Sequence, residues 1–505
     1  MKPQRASGIL LHPTSLPGPH GSGDFGVEAY RFVDWLAEAG QTLWQILPLG
    51  EVGPGNSPYM SSSAFAGNVL LIDLAELAEQ GWLTQDDLTP DPTFNTQRID
   101  FARLVPFRVE RLHRAARSFF SDKRHPRHDE FSAFCHAEAD WLDDYALFRA
   151  IGQHEDGRHW SQWPRDLARR KPEALRRASE QHVDAIGFWK FCQWNFARQW
   201  SQLKGYANDK GVRIVGDMPI FVAYQSSDVW ANQGLFELDD QGRATVVAGV
   251  PPDYFSETGQ FWGNPLYRWK NHQRSGFSWW IARLRQSLKL ADLVRIDHFR
   301  GFAAYWEISA DESTAINGRW VNAPGKALFD ALKQAVGELP IIAEDLGVIT
   351  DDVTALREQF GMPGMRVLQF AFSEDAEHLF LPHHYEPNTV AYSGTHDNDT
   401  SLGWWAKTNP RERAFAQHYL GSDGHAIHWD MIRALSVSVA QRVIYPMQDV
   451  LGLGNEHRMN VPGKEDGNWE WRFDWSQVQP WQAKVLADMG AVHGRCDLSK
   501  AKLPG

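Results

Sequence analysis

The chain has 505 residues, of which 43% are hydrophobic and 23% charged, a composition typical of a folded globular protein and not of a disordered one. Its formal net charge of −12 argues against a partner that is nucleic acid or an anionic membrane. The 3 cysteines lie far apart in the sequence, which excludes a disulfide scaffold and a CxxC metal or redox site.

The N-terminal segment carries only a short apolar run before His12 and Pro13, whereas a signal peptide needs about 7–15 apolar residues. No run approaches the ~18 apolar residues of a membrane-spanning helix, so we expect a cytoplasmic protein. Tryptophan is abundant, with 23 residues beside 28 Phe and 12 Tyr. We expect many of these rings to line an open cleft for a flat ligand, because cores rarely need so many indoles.

Short apolar runs with β-branched residues recur between Gly and Pro, as in buried parallel strands. In chain order the eight predicted strands are 7–11, 42–49, 212–221, 293–299, 340–346, 365–372, 389–394 and 442–447. Helical patterns separate them, such as 27–38, which stops before Gly40, and 351–360, with Asp351 as its N-cap. Eight strands that alternate with helices predict an α/β protein with a (β/α)8 TIM barrel.

Two connections between the predicted strands are too long to be bare loops. We expect a single catalytic barrel domain over 1–505 with a mainly helical subdomain inserted at about 60–208, after the second strand. Its helical segments are 104–120, 137–151 and 187–206. A hairpin and aromatic lid region at about 222–290 follows the third strand, with a turn at 240–242.

Acidic side chains follow four of the predicted strands. Because the functional groups of such barrels lie at the carboxyl ends of the strands, these acids are expected to meet at one opening. A single acid of this kind is commonly an N-cap or part of an ion pair, but four groups at one opening favour a functional site. They are Asp217, Asp297, Glu344 with Asp345, and Asp397 with His396 beside it.

Several carboxylates around one pocket suit glycoside chemistry, in which one acts as nucleophile and another as acid/base. Arg295 and Asp297 are two residues apart on a strand, so both side chains point to the same face and Arg295 favours ionised Asp297. Glu344, close to other carboxylates in a partly closed cleft, is expected to have a raised pKa, as an acid requires.

Asp397 is expected to hold sugar hydroxyls and to favour distortion of the sugar, and His396 can donate a hydrogen bond to the same ring. His298 is a further candidate contact. For both histidines the alternative is a core residue with its hydrogen bonds satisfied.

Gly, Pro and aromatic residues mark loops that display rings at the rim of the barrel. The alternative is a packed loop that merely covers the barrel mouth. The candidate contacts are Ser57 and Tyr59, then Asp253, Tyr254, Phe255, Phe261, Trp262 and Asn264, and finally Asn460.

Two motif matches are rejected. GSGDFG at 21–26 has the glycine spacing of a dinucleotide site but starts too far after the first strand. DNDTS at 397–401 begins like a calcium loop, yet Leu402 stands where Gly is required and Thr408 where Glu is required. No HExxH or other metal motif appears in the sequence, so we expect no cofactor and no metal.

The chain resembles the amylomaltases, the 4-α-glucanotransferases of glycoside hydrolase family 77 in the α-amylase clan. The resemblance runs from the first strand to near the C-terminus. The motifs that carry it are SGILLHPTSLPG, SPYMSSSAFAGN, GDMPIFV, GVPPDYFSETGQFWGNPLYRW, RIDHFRG, AEDLG, GMRVLQF, GTHDNDT and NEHRMNVPG.

The resemblance implies a retaining double displacement on α-1,4-glucans and maltooligosaccharides, with a second sugar chain as acceptor. It implies that Asp297 is the nucleophile, Glu344 the acid/base and Asp397 the transition-state stabiliser. It also implies that Arg295 and His396 support the donor sugar and that 249–262 forms a lid over the acceptor path. The residues expected to line the cleft are Tyr59, Asp217, Asp253 and Trp262.

Two departures from the rest of the clan favour transfer in a short, compact form. GDMPIFVAY lacks the Asn-His pair that the clan usually carries shortly after the third-strand acid. The segment 448–505 leaves no room for the usual C-terminal β-sandwich, and no extension precedes the first strand.

Two alternatives to a transglycosylase remain, an α-1,4-glucan hydrolase and a non-catalytic α-glucan-binding protein. The presence of Asp297, Glu344 and Asp397 disfavours the non-catalytic protein, which is expected to have lost at least one of them. The hydrolase shares every catalytic residue and differs in how well its lid excludes water.

Overall fold

The computed structural model describes residues 5–252, 256–373 and 375–497, and the strands in these ranges form two sheets. In chain order the strands are β1 Ala6–Leu10, β2 Leu43–Gln45, β3 Arg213–Pro219, β4 Val246–Val250, β5 Gln260–Pro265, β6 Leu293–Asp297, β7 Ala304–Ser309, β8 Gly318–Asn322, β9 Ile341–Ala343, β10 Gly364–Val367, β11 Thr389–Tyr392 and β12 Arg442–Pro446.

The larger sheet is a barrel of eight parallel strands in the order β10-β11-β12-β1-β2-β3-β6-β9. It closes between β9 and the residue before β10, where the Ala343 N–H donates to the Pro363 carbonyl at 2.9 Å. Each barrel strand overlaps one of the eight predicted runs, so the predicted TIM barrel is confirmed. The carboxyl ends of these strands therefore surround one opening.

The helices of the described residues surround this barrel. In chain order they are α1 Val27–Glu38, α2 Leu74–Glu79, α3 Phe101–Ser121, α4 His128–Ala137, α5 Ala139–His154, α6 Arg165–Ala168, α7 Pro172–Gln181, α8 Val183–Asp209, α9 Ser227–Ala231, α10 Trp269–Arg274, α11 Ser278–Leu290, α12 Gly325–Val336, α13 Asp351–Gln359, α14 Ser401–Lys407, α15 Pro410–Leu420, α16 Ile427–Val437, α17 Met447–Leu451 and α18 Pro480–Val492.

The bounds of α1 agree with the sequence prediction, whereas Asp351 is the first residue of α13 and Thr350 is its N-cap. The carboxylate of Asp351 still favours the helix, because it lies at the positive end of the helix dipole. Helices α2–α8 lie in the connection between β2 and β3. The division of the chain into subdomains stays a prediction.

The tryptophans correct one expectation of the sequence analysis, because many of them are core residues. The largest fully buried side chains include Trp44, Trp160, Trp189, Trp194, Trp200, Trp230 and Trp280. A buried indole ring leaves no polar group unsatisfied where its N–H donates a hydrogen bond to a carbonyl oxygen. Trp44 donates to the Leu11 carbonyl at 2.8 Å and Trp200 to the Leu290 carbonyl at 2.9 Å.

The smaller sheet is antiparallel, with the strand order β5-β4-β7-β8, and the sequence analysis did not predict it. The predicted turn at 240–242 is present between Leu238 and Ala244, which form an isolated bridge. The strand that follows this turn, β4, pairs with β5 and β7. Strands β7 and β8 lie in the chain between β6 and β9.

No helix in the described part of the chain is long and apolar enough to cross a membrane.

Candidate active site

Arg295 joins two of the predicted acids at the carboxyl ends of β3 and β6. These strands pair with Asp217 beside Arg295 and Pro219 beside Asp297, so the side chains lie in neighbouring rows. One guanidinium nitrogen of Arg295 donates to both Asp217 oxygens at 2.8 and 2.7 Å, and the other donates to Asp297 Oδ1 at 2.8 Å. Burial opposes the positive charge of Arg295, but the two carboxylates raise its pKa well above the ordinary value.

Tyr59 connects Asp217 to His396. The Tyr59 hydroxyl donates to Asp217 Oδ2 at 2.7 Å and lies 2.9 Å from His396 Nε2. The Tyr59 and His396 rings stack with centroids 5.3 Å apart. Burial, followed by the charge of Asp217, raises the pKa of Tyr59, so the phenol stays protonated. Residues from three distant parts of the chain thus form one network.

Asp397 follows β11 and extends this network into solvent. Asn460 Nδ2 donates to Asp397 Oδ1 at 2.6 Å, and His396 Nε2 lies 3.3 Å from Asp397 Oδ2. The side chain of Asp397 is 43% exposed, compared with 4% for His396. Asp397 can therefore receive hydroxyl groups of a ligand, as a residue that holds sugar hydroxyls must.

Glu344 follows β9, the barrel strand next to β6. Its Oε2 accepts the His298 N–H at 2.7 Å and its Oε1 accepts the Leu346 N–H at 2.8 Å. Burial, followed by the charge of Asp297, raises the pKa of Glu344 to about 7. The raised pKa expected from the sequence is thus present, and Glu344 lies against the residue that follows Asp297.

His298 has a left-handed backbone conformation with φ of 56°, which is uncommon for a residue with a side chain. Burial lowers the pKa of its imidazole to about 4, so the ring is neutral at physiological pH. The ring meets Trp262 edge to face at 4.8 Å, and its Nε2 has no hydrogen-bond partner among the described residues. The alternative of a core histidine with satisfied hydrogen bonds therefore does not apply to His298.

Several of these residues line an open cleft of about 800 Å³, whereas Glu344, like Asp217 and Arg295, is not among its lining residues. A second opening of about 1020 Å³ adjoins it, and both are lined by Phe261, Trp262 and Asp397. The predicted residues that line the first cleft are Ser57, Tyr59, Phe261, Trp262, Asn264, Asp297, His298, His396, Asp397 and Asn460.

Other predicted residues lie elsewhere. The Asp217 side chain has no exposed surface and that of Arg295 is 4% exposed, so in this structure both support the cleft from behind and do not face it. Asp345 binds the Met365 N–H at 2.7 Å and so belongs to the barrel wall. Asp253, Tyr254 and Phe255 lie outside the described residues.

Two residues at the cleft have structural partners that the sequence analysis did not foresee. Asn264 Nδ2 donates to the Val222 carbonyl at 2.8 Å, and Ser57 Oγ accepts the Tyr59 N–H at 3.2 Å. Asn264 therefore holds the connection after β3, and Ser57 fixes the turn that presents Tyr59.

The sequence analysis missed Trp469 and the segment 462–468, which also line the cleft. The Trp469 ring lies 5.8 Å from Tyr59 and 5.9 Å from His396, centroid to centroid. No periodic pattern in the sequence marks Trp469. The eighth predicted strand, 442–447, and the motif NEHRMNVPG both precede it in the chain and are the signals that point to this region. Within the described ranges, no group of three or more His, Cys, Asp or Glu side chains is arranged to hold a metal ion.

Comparisons with known proteins agree on one family. Residues 11–477 match the model of glycoside hydrolase family 77, described as 4-alpha-glucanotransferase. The 4-alpha-glucanotransferase of Thermus thermophilus is 51% identical over 503 residues, which cover 98% of this chain and 100% of the relative. The chloroplastic/amyloplastic 4-alpha-glucanotransferase of Solanum tuberosum is 46% identical, over 97% of this chain and 87% of the relative. The amylomaltase of Streptococcus agalactiae in complex with acarbose has a TM-score of 0.94 and 40% identity, with 98% of this chain and 100% of that one covered.

Proposed function

Since the chain belongs to glycoside hydrolase family 77 and is a 4-alpha-glucanotransferase, we propose that it acts by a retaining double displacement between Asp297 and Glu344. The observation that carries this proposal is the pairing of an Arg295-bound carboxylate with a neighbouring carboxyl whose pKa is about 7. A nucleophile must be ionised and an acid must be protonated at the same pH, and the ion pair of Asp297 with Arg295 and the raised pKa of Glu344 support these two roles.

In the first step Asp297 attacks the anomeric carbon of the donor sugar, and the bond from that carbon to the glycosidic oxygen breaks. Glu344 gives its proton to the leaving oxygen, which departs as a sugar hydroxyl. Arg295 holds Asp297 Oδ1 at 2.8 Å, which orients the carboxylate and leaves Oδ2 for the new bond. The glycosyl group is then an ester of Asp297.

Formation of this ester also prepares Glu344 for the second step. The negative charge of Asp297 raises the pKa of Glu344, and that charge disappears when the ester forms. The pKa of Glu344 therefore falls in the intermediate, which favours the carboxylate. As a carboxylate, Glu344 removes the proton from the 4-hydroxyl of the acceptor while that oxygen attacks the anomeric carbon and displaces Asp297.

Asp397 stabilises the positive charge that develops on the donor sugar, and His396 supports Asp397 and the distorted ring. Asp397 offers a half-exposed carboxylate that Asn460 holds in place, and the His396 ring is held by Tyr59. A carboxylate fixed before the reaction requires little reorganisation when charge develops.

The acceptor is proposed to lie against Phe261 and Trp262 on β5, where aromatic faces stack on sugar rings. We propose α-1,4-glucans and maltooligosaccharides as both donor and acceptor, which agrees with the acarbose bound by the Streptococcus agalactiae relative. The cytoplasmic location also stays a proposal, and cell fractionation tests it.

Incubation with maltotriose tests the proposed transfer. We expect glucose and a ladder of longer maltooligosaccharides with little gain in reducing ends, because transfer conserves reducing ends and hydrolysis adds one per bond. Asp297→Asn is the matched control and is expected to lose both products. If reducing ends rise in step with the loss of maltotriose and no product is longer than the substrate, the protein acts as the alternative hydrolase.

A further inference from the structure

A small cavity adjoins His396, a residue that it shares with the open cleft, and it shares Asn398, Asp399 and Arg458 with the second opening. Its volume is about 20 Å³, and a buried water needs about 10–15 Å³ on the same scale. His12 and His396 both line it, with further polar side chains such as Ser15 and Gln448. The cavity therefore has the size for one water and the polar walls that a buried water requires.

The hydrogen bonds of Tyr59 determine which nitrogen of His396 carries the proton. Burial raises the pKa of Asp217, but both of its oxygens accept from Arg295, and this ion pair favours the carboxylate, which accepts the Tyr59 O–H. The Tyr59 oxygen must then accept the bond from His396 Nε2 at 2.9 Å. Nε2 is therefore protonated, and in the neutral ring Nδ1 is a hydrogen-bond acceptor.

His396 Nδ1 is buried and has no hydrogen-bond partner among the described residues, and the same is true of His12 Nδ1. His12 follows β1. Counted over the whole residue, His12 and His396 are each 6% exposed. An acceptor buried without a donor costs free energy, so such atoms are commonly paired with ordered water. The two residues that carry these atoms line one cavity.

We propose that a single buried water joins His12 Nδ1 to His396 Nδ1, and that His12 is thereby a positioning residue for the donor-sugar site. The water donates one hydrogen to His396 Nδ1. His12 Nδ1 binds the same water in either tautomer, as a donor to its oxygen or as an acceptor of its second hydrogen.

The proposed bridge has a consequence for the open cleft. While Nδ1 of His396 is occupied by the water, the Nε2 proton stays directed at Tyr59 and Asp397. The neutral state that this requires of His12 is consistent with burial, followed by nearby His396, lowering the pKa of His12 to about 3. Loss of the bridge allows the other His396 tautomer, whose Nε2 cannot donate to Tyr59 or Asp397 and so no longer holds the ring against them.

The inference rests on the proposed role of His396 at the donor sugar, so the first test measures the bridge itself. Ring-nitrogen ¹⁵N spectra distinguish protonated from unprotonated imidazole nitrogens, and the loss of signals in His396→Gln assigns those of His396. We expect a protonated Nε2 and an unprotonated, hydrogen-bonded Nδ1 in the wild-type protein. A proton on Nδ1 of His396 overturns the inference, whatever the substrate is.

The second test measures coupling between the two histidines. We expect His12→Ala to lower kcat for transfer from maltotriose about tenfold, the effect of one hydrogen bond, with KM within about twofold. His12→Gln can still bind the water and is expected to stay within about threefold of the wild-type kcat. In the His396→Ala background, His12→Ala is expected to have no further effect, because it acts through the missing ring.

His272 provides the matched control, since it is a fully buried histidine on α10 and burial likewise lowers its pKa, to about 4. His272→Ala is expected to lower the melting temperature but not kcat per folded molecule. Equal losses from His12→Ala in the presence and absence of His396, or an unchanged kcat in folded His12→Ala, overturn the inference. If His12→Ala does not fold, His12→Gln and the wild-type spectrum still decide it.

Discussion

Replacement of Glu344 by glutamine is expected to change the stability of the protein in a pH-dependent way. The pKa of Glu344 rises from its ordinary 4.5 to about 7 in the folded protein, mainly through burial. This rise corresponds to about 3 kcal/mol against the charged form, at about 1.4 kcal/mol per pKa unit. Because the folded state binds the proton more tightly, the favourable contribution is complete below pH 4.5 and is lost as the pH rises to 7.

Glutamine does not titrate, so Glu344→Gln removes this pH dependence. The substitution also replaces one of the two oxygens that accept the His298 and Leu346 N–H groups. A buried N–H left without an acceptor costs about 1–3 kcal/mol, and it does so at every pH. The variant is therefore expected to be less stable than the wild type at pH 5. Between pH 5 and pH 8 its free energy of unfolding should rise by about 2 kcal/mol relative to that of the wild type.

Calorimetry at a fixed scan rate measures this effect. An unfolding entropy of about 2.1 cal/mol/K per residue over 505 residues makes 1 kcal/mol equivalent to about 1 °C in melting temperature. The difference in melting temperature between variant and wild type should thus change by about 2 °C from pH 5 to pH 8. The exposed Glu338→Gln is the control and should show no such change. An equal difference at both pH values refutes the assignment of a raised pKa to Glu344.

Three further predictions concern the rate, the buried ion pair and the acceptor side. The transfer rate should fall as the pH rises above about 7, where Glu344 loses its proton. With an activated donor that needs no protonation, Glu344→Gln should not show this fall; if the fall is unchanged, it is due to another group. Asp217→Asn removes one charge of the buried ion pair with Arg295, which costs about 3–5 kcal/mol of stability. Thermal melts should therefore show a lower melting temperature and activity assays a lower kcat; wild-type values of both contradict the proposal that Asp217 supports the cleft. Trp262→Ala should raise the share of hydrolysis over transfer in a reducing-end assay on maltotriose. Replacement of Trp320, an exposed residue of β8, by alanine is the control, and an unchanged share in Trp262→Ala contradicts acceptor stacking at Trp262.

The barrel was predictable because each of its strands leaves a local mark in the sequence. A strand buried on both faces is a short apolar run, and a strand of this kind recurs eight times. The second sheet leaves no comparable mark. Strand β4 pairs with β7, which is only partly buried, and β8 beyond it is mostly exposed. Neither β7 nor β8 is a continuous apolar run, so the pairing depends on contacts between distant segments.

The catalytic acids were predictable for a similar reason, since the barrel rule places strand ends around one opening without knowledge of any distance. The supporting network was not. Tyr59 reaches Asp217 across 158 residues and His396 across 337, and no local pattern announces such bonds. Asp217 was expected to face the ligand for the same reason, because a sequence does not reveal which acid Arg295 and Tyr59 cover.

The proposed acceptor site lies on the second sheet, apart from the barrel that holds the proposed catalytic pair. Asp297 ends β6 and Glu344 follows β9 on the barrel, whereas β5 carries Phe261 and Trp262 on a different sheet. That sheet is assembled from two chain segments, one before β6 and one after it, through the pairing of β4 with β7. A chimera that exchanges the aromatic hairpin between relatives must therefore transplant 246–265 and 304–322 together. If only one segment is exchanged, β4 meets a foreign partner strand, and the position of the acceptor changes even though every catalytic residue is retained.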